Sequence, residues 1–431
     1  MTARLIIIGL DAADGGLVDH WMREGTMPRL AALKARGVMK RLTAPPGSSD
    51  DGLWASFQYG VPLGEHGRYH WGIPLSGGAL GMAHERDAGR RPFWIELGGR
   101  RPRTAVLDIP KCATPQPLNG IHLADWLVHG RYFDPPRSQP DGLAAEIIAR
   151  FGPALPSRCS YFQEALDDTE IADIVSNLRT SISRKRAAGL HFLDAEAWDL
   201  FLIGFKEAHC GCHGLWSLVD EQHADHDAAR NLRLGEPLKS IFADLDTAVG
   251  DLAAAAGPDA EIAIFSTTDM EPNGTLAHLL PGIVDRINRN LGGRFCVALP
   301  YNDNYGAMRI IEPGHDSECI ATVIADMLRE LVDADSGDPV VGSILHPAAE
   351  STGVQAEALP DLLFAYAPNH NPRAVESPRL GRITSDVRGI RPGNHAGGGF
   401  LIAAGRETQR LAVNVDALED FAGMAAAILN R

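Results

Sequence analysis

The chain lacks an excess of positive charge. Its 431 residues include 40 Lys and Arg against 55 Asp and Glu, which gives a formal net charge of −15. A protein that holds nucleic acid needs a dense Lys/Arg surface, so we expect no nucleic-acid partner. The basic cluster Arg184-Lys185-Arg186 lies in a segment with the pattern of a solvated helix, and we predict that it faces solvent and has no binding role.

Long hydrophobic runs and cysteines are also scarce. The apolar run at 5–10 is followed at once by Asp11, and it is too short for a signal sequence or a membrane span. The six cysteines are scattered through the chain, which favours free thiols over a disulfide framework. We therefore expect a cytoplasmic protein without a membrane partner.

What the sequence does contain is an alternation of apolar β-type runs with segments whose apolar residues recur every three or four positions. Strands are predicted at 5–10, 104–109, 120–126, 200–205, 261–266 and 399–405. Helices are predicted at 27–37, 142–152, 170–189, 237–257 and 417–430. This order is typical of an α/β fold, a doubly wound and mostly parallel sheet with helices on both faces. Between 276 and 392 the pattern changes. We therefore predict a core of 1–275 and 393–431 with a small α+β lobe, 276–392, inserted.

Two histidines four residues apart follow one of the predicted strands. His209 and His213 begin a predicted helix, where this spacing places both rings on one face. A third histidine, His395, precedes the final predicted strand. Three such ligands with an open fourth position are typical of a mononuclear zinc site, although imidazole also suits iron, copper or nickel. Cys210 and Cys212 are either additional soft ligands or buried thiols.

Other polar residues lie near the carboxyl ends of predicted strands, where open α/β sheets bind ligands. Asp11 ends the first strand, and Thr267, Thr268 and Asp269 follow the strand at 261–266. The turn-like segment 48–51 adds two serines and two aspartates. We expect these groups to lie close to the histidines.

Several segments also stand in a characteristic order. They are LIIIGLDAAD at the N-terminus, LWASFQYGVPLGEHGRYHW after it, and GNHAGGGFLIAAG near the C-terminus. In order and spacing they resemble the alkaline phosphatase superfamily, in its branch of type I phosphodiesterases and nucleotide pyrophosphatases. The resemblance spans nearly the whole chain and implies a metal-dependent enzyme with two ions, usually zinc, in two ligand sets.

The first ligand set of the resembled family consists of an Asp and a His four residues apart and a late His. This chain has His209, His213 and His395 at those positions, so a histidine replaces the aspartate and three competent ligands remain. The resemblance therefore implies that this first metal site is retained.

The second ligand set fares differently. It would combine Asp11, a nucleophilic Thr or Ser, and an adjacent Asp-His pair, but Thr267 and Thr268 occupy the positions of that pair. A neutral hydroxyl is a poor zinc ligand. The family spacing places Asp50 at the position of the nucleophile, and a shift of one residue places Ser49 there. We do not expect a normal two-metal site.

These patterns predict an enzyme that hydrolyses or transfers a phosphate-type or related ester of a small, anionic substrate. One divalent ion, zinc by preference, would bind the three histidines and lower the pKa of a bound water to about 7. Asp11, Ser49 and Asp50 would face the substrate as catalytic groups, and Asp11 is also a predicted metal ligand. Two alternatives are a non-hydrolytic biosynthetic enzyme on the same scaffold and a catalytically silent binding protein. The substrate is not assigned, and a homo-oligomer is compatible with the sequence.

Overall fold

The structure is a computed structural model that describes residues 3–74, 80–82, 90–112, 115–129, 132–162, 164–300, 304–311, 317–367, 372–387 and 389–430. The strands are β1 (Ala3–Leu10), β2 (Val38–Arg41), β3 (Gly72–Pro74), β4 (Leu80–Met82), β5 (Thr104–Leu107), β6 (Gly120–Ala124), β7 (Arg137–Gln139), β8 (Trp198–Phe205), β9 (Glu261–Ser266), β10 (Asp269–Pro272), β11 (Cys296–Leu299), β12 (Tyr305–Ile310), β13 (Val332–Asp333), β14 (Val341–Leu345), β15 (Leu362–Tyr366), β16 (Ala374–Ser377), β17 (Gly381–Thr384), β18 (Gly393–Ala396) and β19 (Phe400–Ala404). The helices are α1 (Gly15–Glu24), α2 (Pro28–Ala35), α3 (Asp50–Tyr59), α4 (Leu63–His66), α5 (Leu143–Phe151), α6 (Asp168–Ala195), α7 (Glu207–Val219), α8 (Ala228–Arg233), α9 (Pro237–Ala255), α10 (Leu280–Leu291), α11 (Ser317–Arg329), α12 (Pro347–Glu350), α13 (Arg406–Ala412) and α14 (Asp420–Leu429).

Eight strands form the central sheet, in the order β2-β19-β9-β1-β8-β5-β6-β7. The five strands from β9 to β6 are parallel to one another. β7 and β19 run antiparallel to their neighbours. The carboxyl ends of β1, β8 and β9 lie side by side in register, so the residues that follow these three strands converge on one edge.

Alternate residues of β1 contact two separate hydrophobic cores. Ile6 and Ile8 pack in one core with residues of α1, α2, α6 and α9. Leu5 and Ile7 pack in the other with residues of α3 and α14. A strand buried on both faces is therefore continuously apolar rather than alternating. The predicted α/β class, with helices on both faces of a mostly parallel sheet, is confirmed.

A third hydrophobic core lies outside the sheet. It is built from the buried faces of α10 and α11 and from strands β12, β15 and β16. Its members run from Leu276 to Ile383, within the segment that we expect to be inserted. The boundaries 276 and 392 stay a prediction.

The six predicted strands and the five predicted helices are all present, with ends that differ by a few residues. The six cysteines are free thiols, as expected. Within the described residues, no helix combines the length and the hydrophobicity that a membrane crossing requires.

The prediction for the basic cluster is wrong at Lys185. Its side chain is buried on the inner face of α6, where Nζ lies 2.8 Å from Oδ2 of Asp108 and 3.2 Å from Oε1 of Glu207. Lys206 also contacts Asp108, at 3.0 Å. Two buried cations thus neutralise two buried anions below the start of α7, which makes the burial of each charge tolerable.

Candidate metal centre

The first two histidines are positioned by the connection between β8 and α7. β8 ends at Phe205 and α7 begins at Glu207, so His209 and His213 lie in its first two turns. Both side chains are buried, and their ring centroids are 4.5 Å apart. The predicted common face of the two rings is present.

His395 reaches the same place from the other end of the chain. It lies in β18, which pairs antiparallel with β10 so that His395 stands opposite Met270. Its ring centroid is 4.9 Å from that of His209 and 4.6 Å from that of His213. One nitrogen from each of the three rings lies within 4.8 Å of the other two. Residues 182 positions apart in the sequence therefore form one compact, buried cluster.

The hydrogen bonding of the cluster fits a metal ion. The Nε2 atoms of His209, His213 and His395 are buried and have no hydrogen-bond partner among the residues that the structure describes. Nδ1 of His213 lies 2.7 Å from the carbonyl oxygen of Gly393, to which it donates when Nδ1 carries the proton. This arrangement directs the Nε2 lone pair into the cluster, as is usual for histidines that bind metal. Leaving such polar atoms buried and unpaired would otherwise be costly.

The protonation of the three rings differs. Burial lowers the pKa of His395 to about 3 and holds that of His213 well below its usual range, so both rings are neutral, the form that binds metal. Burial also opposes the charge of His209, but the nearby Asp11 carboxylate and Cys159 outweigh it and raise its pKa to about 9. The surroundings of His209 therefore favour positive charge, whether a proton or a bound metal ion carries it.

Asp11 and Asp50 lie beside His209. Oδ2 of Asp11 is 3.2 Å from Nδ1 of His209, and Oδ1 accepts a hydrogen bond of 2.7 Å from the indole of Trp54. Oδ2 of Asp50, in the first residue of α3, is 3.6 Å from the same His209 nitrogen. Asp11, Asp50 and His209 also offer ligand atoms within 4.8 Å of one another. Both predicted aspartates thus lie at the histidine cluster.

Ser49 is placed differently from the two aspartates. It is the N-cap of α3, where its Oγ accepts a hydrogen bond from the N–H of Gly52 at 3.3 Å. The same hydroxyl donates to the carbonyl oxygen of Tyr69. The side chain is buried and both of its hydrogen-bonding functions serve the backbone. A catalytic role for Ser49 stays a prediction.

The residues after β9 hold the edge of the sheet together. The hydroxyl of Thr267 is 3.4 Å from Oδ1 of Asp11. The hydroxyl of Thr268 lies within 3.1 Å of the carbonyl oxygens of Ala396 and Gly397. Asp269 accepts a hydrogen bond of 2.8 Å from the N–H of Gly15 and forms an ion pair with Arg41. These contacts agree with a structural function for the segment.

Four residues at the cluster were missed in the sequence analysis. Nζ of Lys111 lies 3.2 Å from Asp50 and 3.0 Å from Nε2 of His129. His129, Cys159 and His209 offer ligand atoms within 4.8 Å of one another. Nη1 of Arg391 is 3.8 Å from the sulfur of Cys159.

Two of the four could have been found. Lys111 comes shortly after the carboxyl end of β5, at the sheet edge where β8 also ends. Arg391 lies four residues before His395. By contrast, His129 and Cys159 lie in irregular segments, where no periodicity indicates their position.

Comparison with solved structures identifies the same architecture elsewhere. Phosphonoacetate hydrolase from Sinorhizobium meliloti 1021, in complex with phosphonoacetate, is similar over 99% of this chain and 96% of that chain, with 14% identity and a TM-score of 0.62. In complex with phosphonoformate the TM-score is 0.59. Murine ectonucleotide pyrophosphatase/phosphodiesterase 5 is similar over 99% of this chain and 95% of that chain, with 10% identity and a TM-score of 0.54.

Sequence comparison adds no relative, since no protein-family model and no curated protein matches the chain. Identities of 10% to 14% show the fold alone. The chain therefore shares the fold of these two proteins, the alkaline phosphatase-like fold that the resemblance of its sequence implies.

Proposed function

We propose that the protein is a metal-dependent enzyme that hydrolyses or transfers a small phosphate-type or related ester, with one divalent ion at His209, His213 and His395. The observation that carries the proposal is the clustering of three buried histidines, with one ring nitrogen of each within 4.8 Å of the other two. Among the described residues, their Nε2 atoms have no hydrogen-bond partner. A bound divalent ion supplies Lewis-acid chemistry. Zinc is the first candidate, because three protein ligands with an open fourth position are typical of catalytic zinc.

Asp50 is the residue best placed to move a proton. Its carboxylate lies at the edge of the cluster, 3.6 Å from Nδ1 of His209. A carboxylate in this position accepts a proton from an attacking hydroxyl, the ordinary function of a general base. Asp11, which is fixed by the indole of Trp54, holds His209 in orientation through the contact with its Nδ1. Ser49 is a candidate for the attacking group, because a shift of one residue in the family spacing places it at the position of the nucleophile.

Arg391 favours an anionic substrate. Its guanidinium is buried next to the histidine cluster, where Nη2 lies 3.3 Å from Oδ1 of Asn394. It also lines a cavity of about 500 Å³ that reaches Gly214 and Ser217 of α7. A planar guanidinium in the wall of a cavity can recognise phosphate or carboxylate oxygens. The cavity is large enough for a small organic anion.

The chemistry of the similar proteins guides the choice of substrates. One was solved with phosphonoacetate and with phosphonoformate, and the murine phosphodiesterase was solved with AMP. We propose small phosphonates and phosphodiesters as the first substrates to test on the zinc-loaded protein. Turnover that is lost in His395→Ala and in Asp50→Asn supports the proposal. A zinc-loaded protein that binds these anions without turning any of them over favours the silent binding protein.

A further inference from the structure

The second metal position of the resembled fold is the feature that fits this chain worst. Asp11, Asp50 and His209 lie within ligand distance of one another, but His209 is shared with the tri-histidine cluster. Thr267 and Thr268 stand where two further ligands belong, and their hydroxyls are engaged by Asp11 and by backbone carbonyls. The group therefore offers two carboxylates, whose charge must be balanced, and few other donors.

A lysine supplies positive charge beside these carboxylates. Lys111 is buried, and its Nζ is 3.2 Å from Oδ2 of Asp50 and 3.9 Å from Oδ2 of Asp51. Its charge also lowers the pKa of Asp11, although burial of that carboxyl and its contacts with His209 are larger influences. A buried carboxylate requires a partner of opposite charge, and Lys111 provides one.

The backbone holds Lys111 in this place. Its φ of 55° lies in the left-handed region, which costs free energy for a residue with a side chain. The buried amide of Gln58 donates to the carbonyl oxygens of Pro110 and Lys111, at 3.3 and 3.0 Å. Arg68 donates to the same Lys111 carbonyl. This conformation is maintained by two buried side chains, which indicates that the direction of the lysine side chain is specified.

We infer that the ammonium group of Lys111 takes the electrostatic place of a second metal ion beside Asp11 and Asp50. The inference builds on the proposed single-ion centre at the three histidines. The lysine neutralises Asp50 and attracts an anionic substrate to the same side of the cluster. A fixed ammonium group supplies positive charge but no Lewis-acid coordination. The centre therefore holds a single metal ion.

The test is the number of zinc ions per chain in Lys111→Met, compared with the wild type after equilibration with zinc and removal of the excess. The methionine keeps the length of the side chain and removes its charge, so Asp11 and Asp50 become available as ligands. We expect Lys111→Met to bind one ion more than the wild type. Lys111→Arg, which keeps the charge, is the matched control and is expected to bind the same number as the wild type.

Thermal unfolding provides the second measurement. Zinc should raise the unfolding temperature of Lys111→Met by more than that of the wild type, because an additional ion stabilises the variant by mass action. Equal ion content in folded Lys111→Met and the wild type would overturn the inference, as would two ions in the wild type. A wild type that binds no zinc would instead contradict the tri-histidine centre. The comparison would still test Lys111, because Lys111→Met should then bind one ion and the wild type none.

Discussion

Nδ1 of His213 lies 2.7 Å from the carbonyl oxygen of Gly393, and Gly393 is two residues before His395 in β18. One hydrogen bond thus joins the helix that carries two of the histidines to the strand that carries the third. It fixes the orientation of the His213 ring and the separation of the two elements. The geometry of the centre therefore depends on close packing between α7 and β18.

Gly393 itself is expected to be sensitive to substitution. A Cβ at this position would lie 2.4 Å from the carbonyl oxygen of Cys212 and 2.6 Å from Cβ of Trp216. Gly393→Ala should therefore push β18 away from α7. We expect zinc binding to weaken by about 10- to 100-fold, the usual effect of changing a group that orients a metal ligand. A competition titration with a chromophoric chelator measures this affinity. Gly423→Ala is the control, since nothing lies within 4 Å of its added Cβ, and equal affinities in the two variants would count against the account.

Asp50 and Ser49 can be separated by their effects on rate and stability. Asp50→Asn should lower kcat by about 10²- to 10⁴-fold, the typical contribution of a general base. Ser49→Ala should instead lower the free energy of unfolding by about 1 kcal/mol, because it removes the N-cap of α3. Steady-state kinetics and urea denaturation of both variants provide the comparison. If Ser49→Ala loses as much activity as Asp50→Asn while its stability is unchanged, Ser49 is the attacking group.

The buried ion network below α7 makes a separate prediction about stability. Lys185→Met leaves Asp108 with Lys206 and the N–H of Trp126, and it leaves Glu207 without its contact to Lys185. Breaking one partner of a buried network costs about 3 to 5 kcal/mol, which chemical denaturation measures directly. Arg184→Met, a change of the neighbouring charge on the more exposed side of the helix, should cost much less. Similar losses in the two variants would show that the network does not stabilise the fold.

Much of the fold was predictable because its signals are local. The strand at 200–205 is continuously apolar since both faces of β8 are covered, and the spacing of His209 and His213 shows their common face directly. His395 is a candidate partner because it precedes the final predicted strand, and the resemblance to a known family implies the same choice. Neither inference required knowledge of distant contacts.

The remaining features depend on such contacts. The charge of Lys185 indicates a solvated face, and only Asp108 and Glu207, from other elements, make its burial possible. Similarly, the sequence places Lys111 shortly after a strand, but it does not indicate that the side chain reaches Asp50. Ionic pairs between distant segments follow from the packing of the elements, which a helical or strand pattern does not specify.

The central claim is that three histidines form one metal centre, and the most direct measurement is the metal content of the purified protein. Elemental analysis of untagged protein, prepared without chelator, should give about one zinc ion per chain in the wild type and nearly none in His213→Ala or His395→Ala. Thr268→Ala should keep its ion, because that hydroxyl contacts backbone carbonyls. Equal metal content in the wild type and in both histidine variants, or no metal in any of them, would contradict the account.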